Sequence, residues 1–79
     1  MKEYIATFHT HLSALLTSRK LTALSVRAQM MPVPRKLSSS CGTCVRYEAP
    51  DPCVGQMDRD LENIYAEENG VFTCVHRGE

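Results

Sequence analysis

The chain has 79 residues, enough for one domain and close to the size at which a single core only just suffices for stability. Nine Lys and Arg balance nine Asp and Glu, so the basic excess that marks a polyanion binder is absent and nucleic acid is not an expected partner. Hydrophobic residues at 43% and charged residues at 23% describe a globular chain rather than a disordered one, and no apolar run approaches the ~20 residues of a membrane span.

Glu3 to Phe8 (EYIATF), short and rich in β-formers, predicts a first strand. Thr10 is a natural N-cap for a helix over 11–23, with Leu12, Leu15 and Leu16 on one face. From Ser25 to Met31 the chain alternates, Val26, Ala28 and Met30 against Arg27 and Gln29, the pattern of a half-buried strand. Pro32 and Pro34 end it, because proline cannot donate to a ladder. Residues 32–42, rich in Pro, Ser and Gly, predict a loop, and Thr43 to Glu48 resumes an extended pattern with Val45 and Tyr47 on one face. Asp51-Pro52 reads as a helix start, Met57, Leu61 and Ile64 follow at helical spacing, and Asn69-Gly70 reads as a helix stop. Val71 to His76 is the final strand.

The order βαββαβ predicts a single α+β domain over 1–79, a ferredoxin-like split-βαβ with an antiparallel sheet and both helices on one face. In that topology the end of the first strand, the start of the first helix and the 32–42 loop share one end of the sheet. His9, Thr10 and His11 then neighbour Cys41, while Cys53 and His76 lie at the opposite end.

Four cysteines in a short chain would form two disulfides in a secreted protein. Residues 1–24 are interrupted by Thr10, His11 and Ser13 and hold no secretory h-region, so the expectation is a cytoplasmic protein with free thiols. Cys41 is the leading candidate for chemistry. It sits in Ser38-Ser39-Ser40-Cys41-Gly42-Thr43-Cys44, without apolar neighbours to bury it. Gly42 permits backbone angles that let amides converge on an anionic sulfur, and Arg35 and Lys36 bring positive charge from the same loop, all favouring thiolate. Against this stands an exposed loop thiol with no role. Cys44 is either the resolving partner of Cys41 in a Cys-X-X-Cys or a small hydrophobe at a strand start. The thioredoxin form of that motif begins a helix after a strand, whereas this one precedes a strand. Cys53 and Cys74 read as packing residues. His9 and His11 are candidates to take a proton from Cys41 or to stabilise its thiolate, set against plain exposed helix-start histidines. Zinc on Cys41, Cys44, His9 and His11 is the weaker reading, because a second close cysteine pair is missing, and neither metal nor cofactor is expected. Asp58, Asp60 and Glu62 read as a solvated helix face.

Taken together, Tyr4-Ile5-Ala6-Thr7-Phe8-His9-Thr10-His11, Met31-Pro32-Val33-Pro34-Arg35 and Leu37-Ser38-Ser39-Ser40-Cys41-Gly42 resemble a bacterial domain family labelled "putative Se/S carrier protein-like", over about residues 3 to 75. The resemblance implies that Cys41 is the hallmark cysteine, with Pro34-Arg35 and His9 beside it. Many relatives carry an apolar residue where this chain has Cys44. The implied function is a sulfur or selenium carrier rather than a complete enzyme: Cys41 holds a persulfide or selenosulfide, Arg35, Ser40 and Gly42 stabilise the anionic chalcogen, and His9 tunes protonation. Its partners are then a donor and an acceptor protein. Two rivals remain, a thiol–disulfide redox module using Cys41 and Cys44, and a non-catalytic interaction module, as a homodimer through the sheet face that helices leave uncovered.

Overall fold

The computed structural model describes residues 1–78. Five strands, β1 (Lys2–Phe8), β2 (Arg27–Pro32), β3 (Thr43–Ala49), β4 (Leu61–Glu68) and β5 (Val71–Arg77), and one helix, α1 (His11–Ala23), make up its regular structure. A single 3-10 turn, Val54–Gln56, interrupts the crossover from β3 to β4. The strands form one antiparallel sheet in the order β2-β3-β1-β4-β5. The α+β class and the antiparallel sheet are therefore as expected.

Side-chain alternation assigns the two faces of the sheet. Tyr4, Ala6 and Phe8 of β1, Val45, Tyr47 and Ala49 of β3, and Ile64 of β4 form the core with Ala14 and Leu21 of α1. The register puts Ala6 beside both Val45 and Ile64, and Tyr4 beside Tyr47, whose rings stack 5.4 Å apart. Thr10 caps α1 as expected, its hydroxyl accepting from the Ser13 amide at 3.2 Å. The buried face of α1 is not the leucine face. Ser13, Ala14, Thr17 and Leu21 face inward, and Leu12 and Leu16 are exposed. Polar residues occupy the inner face because the crossover needs them: Ser13 Oγ donates to Asp58 at 2.7 Å, and Asp58 N donates to Thr17 Oγ1 at 3.0 Å.

The second helix expected over 51–68 is absent, and with it the ferredoxin-like arrangement of two helices on one face. Asp51 does not cap a helix. Its carboxylate accepts from the Cys53 amide two residues on, an Asx turn, and Cys53 adopts a left-handed φ of 56° that breaks any helical start. Leu61–Glu68 is a strand that buries Ile64. Asn69 and Gly70, with φ of 54° and 78°, are the two central residues of a β-hairpin turn rather than a helix stop. This hairpin reverses the last strand relative to the expectation, so His76, opposite Ile64 and one strand from Ala6, lies toward the Phe8 end instead of the far one. Cys74, expected to pack, is exposed on the edge strand.

Candidate functional site

Four chain segments meet where β1 ends, β4 begins and the loop after β2 returns to β3. Val33 N donates to Gly42 O at 3.1 Å, adding a rung to the β2–β3 ladder and closing the neck of the 33–42 loop. Gly42, at φ 73°, makes the turn into β3 in a conformation that a side chain would strain. From that neck the loop is stitched down repeatedly. Ser39 Oγ donates to Phe8 O at 2.8 Å, the Ser40 amide and hydroxyl donate to Glu62 at 3.2 and 2.8 Å, and Lys36 Nζ donates to Gly70 O at 3.1 Å. His11 Nδ1 lies 3.4 Å from Thr43 Oγ1, joining the first turn of α1 to the loop's return. The sheet face away from α1 is not bare, since Ile5, Thr7 and Cys44 on it are completely buried.

Cys41, partly exposed, sits inside this stitching. Its Sγ–H donates to Phe8 O at 3.2 Å and to Thr43 O at 3.5 Å, and Ser39 Oγ is 3.9 Å away. Two carbonyl oxygens thus hold the sulfur as a donor, where converging amides had been expected. The positive charge expected beside it is also directed elsewhere. Lys36 reaches Gly70, and Arg35 is exposed with no hydrogen bond or ion pair among the described residues.

His9 follows the carbonyl that receives Cys41. Its Nδ1 is 3.2 Å from Glu62 Oε2 and 3.4 Å from Ser40 Oγ. The Ser40 hydroxyl spends its proton on Glu62, so toward His9 it can only accept. Nδ1 therefore carries the hydrogen and Nε2 of the neutral ring keeps the lone pair, turned away from the carboxylate. Burial alone would raise the Glu62 pKa, but the hydrogen bonds from the Ser40 hydroxyl and amide and the charge of His9 outweigh it and hold the carboxyl below its ordinary 4.5. Glu62 was read as part of a solvated helix face and is in fact the acceptor on which His9 and Ser40 converge. Only its place in a strand, opposite β1, reveals that.

Cys44 belongs to the buried layer. It is wholly inaccessible, its Sγ lies 3.7 Å from Pro32 O, and burial pushes its thiol up to about 11 despite the opposing charge of Arg46. Cys53 is partly buried against the core, and burial with the neighbouring Asp51 raises its pKa. Among the described residues no three His, Cys, Asp or Glu side chains are grouped as a metal site. No helix of the structure is long and apolar enough to cross a membrane.

The profile of the family described as "Putative Se/S carrier protein-like" matches residues 3–54, more than half of the chain and including His9, Pro34-Arg35 and Cys41. The chain belongs to this family. Over 77 residues it is 27% identical to "Uncharacterized protein YtiA" of Escherichia coli (strain K12), covering 95% of this chain and 91% of the relative. No solved structure matches it. The family profile ends before Glu62, so the carboxylate that orients His9 lies outside the matched residues.

The Glu62 geometry has an expected consequence for stability against pH. A carboxylate whose folded pKa is depressed contributes stability that is fully present above its unfolded pKa and lost as pH falls through the folded value. Substituting Glu62→Gln is expected to destabilise the protein at neutral pH by about 1–3 kcal/mol, the cost of weakening a charge-assisted acceptor of several donors. That difference should shrink as pH drops below 4.5. Chemical denaturation of both proteins across that range checks it, and a difference independent of pH would assign the effect to packing.

Proposed function

We propose that this protein is a carrier of sulfur or selenium and that Cys41 is the acceptor atom. What supports the reading is the family match together with Cys41 lying partly exposed in a tightly stitched loop, next to Ser40, whose hydroxyl is 3.4 Å from His9 Nδ1. Loading is a sulfur transfer without net redox change. The Cys41 thiol gives its proton to a base, and the sulfur attacks the outer sulfur of a donor persulfide R–S–SH. The donor S–S bond breaks, R–S⁻ leaves and takes up the proton, and Cys41 retains the outer sulfur as Cys41–S–SH. A selenium donor would follow the same steps. We assign the proton to His9 Nε2, which the contact of Nδ1 with Glu62 leaves free. Gly42 sets the loop's return, and Ser40 fixes the loop to Glu62, so neither Ser40 donor is free for the chalcogen until that contact opens. Arg35 is exposed near the loop's far end, available to a donor or acceptor protein. The protein is on this reading a cytoplasmic carrier dependent on partner proteins and not a complete enzyme.

The redox alternative has less support. A resolving thiol must ionise and reach its partner, and Cys44 is buried with its pKa pushed up. Incubation of the reduced protein with a small-molecule persulfide, followed by intact mass, tests the carrier reading. One added sulfur per chain, removed by an acceptor thiol, is expected. Formation of an intramolecular disulfide instead, with loss of two hydrogens, would favour the redox module.

A further inference from the structure

Cys41 is held as a thiol. Its single S–H is directed at two carbonyl oxygens, Phe8 O at 3.2 Å and Thr43 O at 3.5 Å, and neither has a hydrogen to offer in return. Loading replaces that hydrogen by a second chalcogen. A persulfide or selenosulfide is a stronger acid than the thiol it comes from, so the added atom is anionic and the same two oxygens repel it. It needs donors, and the side chains of the loop are engaged elsewhere. Ser39 Oγ donates to Phe8 O and Lys36 Nζ to Gly70 O. The remaining donors of this end of the sheet converge on Glu62: the Ser40 amide at 3.2 Å, the Ser40 hydroxyl at 2.8 Å and His9 Nδ1 at 3.2 Å. The Glu62 side chain is only 15% exposed, and His9 is its one ion-pair partner among the described residues. Both donor residues adjoin Cys41. Ser40 precedes it in the chain, and His9 follows Phe8, whose carbonyl receives the thiol.

We infer that Glu62 is a positioning residue that latches Cys41 in its unreactive thiol state, by occupying the Ser40 and His9 donors that a negatively charged sulfur at Cys41 would use. The same donors serve two anions in turn, Glu62 in the resting protein and Cys41 once it is charged. Each anion therefore weakens the hold of the other. For the loaded state the inference rests on the carrier reading, whereas for the resting thiol it stands on the geometry alone.

Alkylation of Cys41 by iodoacetamide reads the latch without any chalcogen. The sulfur forms an S–C bond, iodide leaves and the thiol proton goes to solvent. Glu62→Gln is expected to raise the rate about fivefold, the scale of exchanging a charged acceptor for a neutral one. In a Ser40→Ala background the same change should gain less than half as much, because the hydroxyl it would release is gone. The increase should persist in high salt, which screens a bare charge effect. Cys44, fully buried, should stay unlabelled throughout. An unchanged rate overturns the proposal. So does an increase that is equal in both backgrounds or abolished by salt, since the field of the carboxylate alone would then explain it. An increase accompanied by labelling of Cys44 would report unfolding and overturns it as well. Faster alkylation of Glu62→Gln with no sulfur uptake from a persulfide by either protein would support the latch while removing the carrier reading.

Discussion

Replacing Phe8 by alanine is expected to cost about 3–5 kcal/mol, as for other fully buried aromatic residues. Phe8 is completely inaccessible at the end of β1, and its ring is part of the core that α1 covers. Its carbonyl also receives Ser39 and Cys41, so the candidate site hangs directly on a core residue. Since a small domain rarely has more than about 5–15 kcal/mol in hand, the loss should bring the chain near its unfolding midpoint. Leu12→Ala, on the exposed face of α1, should stay within about 0.5 kcal/mol. Urea unfolding of the two variants beside the wild type measures both. Equal costs would mean that α1 packs by its leucine face after all.

The second large effect concerns the cysteines themselves. Cys41→Ser should abolish stable sulfur loading, because the hydroxyl cannot form the S–S bond. Cys44→Ala should leave loading intact while lowering stability, since it removes buried volume and a thiol that never meets solvent. A redox module predicts the opposite pattern for Cys44, loss of function with either replacement. Intact mass after persulfide treatment, paired with thermal unfolding, separates the two. His9→Ala should slow loading without preventing it, since general-base assistance changes a rate and not the identity of the acceptor.

Half of the fold was legible from local signals. The Thr10 cap, the alternation of Val26, Ala28 and Met30, and the prolines after them gave α1, β2 and the loop to within about two residues. The second half misled because its signals are ambiguous one at a time. Met57, Leu61 and Ile64 fit a helical period, yet Met57 lies in the crossover and a bulge at Glu62 shifts the strand's alternation, hiding the period of two that Ile64 and Ala66 begin. Asn-Gly serves both as a helix stop and as a hairpin turn. Tertiary pairing with β1 decided between them, and a single sequence does not display that pairing. The same error concealed Glu62. Placed on a helix it faces solvent, but on β4, opposite the end of β1, it is brought to His9 and Ser40. That His9 and the Cys41 loop share one end of the sheet was legible, because it follows from β1 and the β2–β3 pair, which form as expected. Their electrostatic setting was not, because hydrogen-bond direction depends on where the loop is tied down, and Phe8 O rather than an amide faces the sulfur.

The claim that Cys41 is the acceptor is tested most directly by locating the sulfur in the loaded wild-type protein. Cys74 is the more exposed thiol, so simple accessibility would favour it over Cys41. After treatment with limiting persulfide, blocking of free thiols and proteolysis, fragment masses distinguish all four cysteines, including Cys41 from Cys44 on their shared peptide. The carrier account predicts the added sulfur on Cys41, with Cys74 largely unmodified. Sulfur found mainly on Cys74, or spread between the two in proportion to exposure, would contradict it.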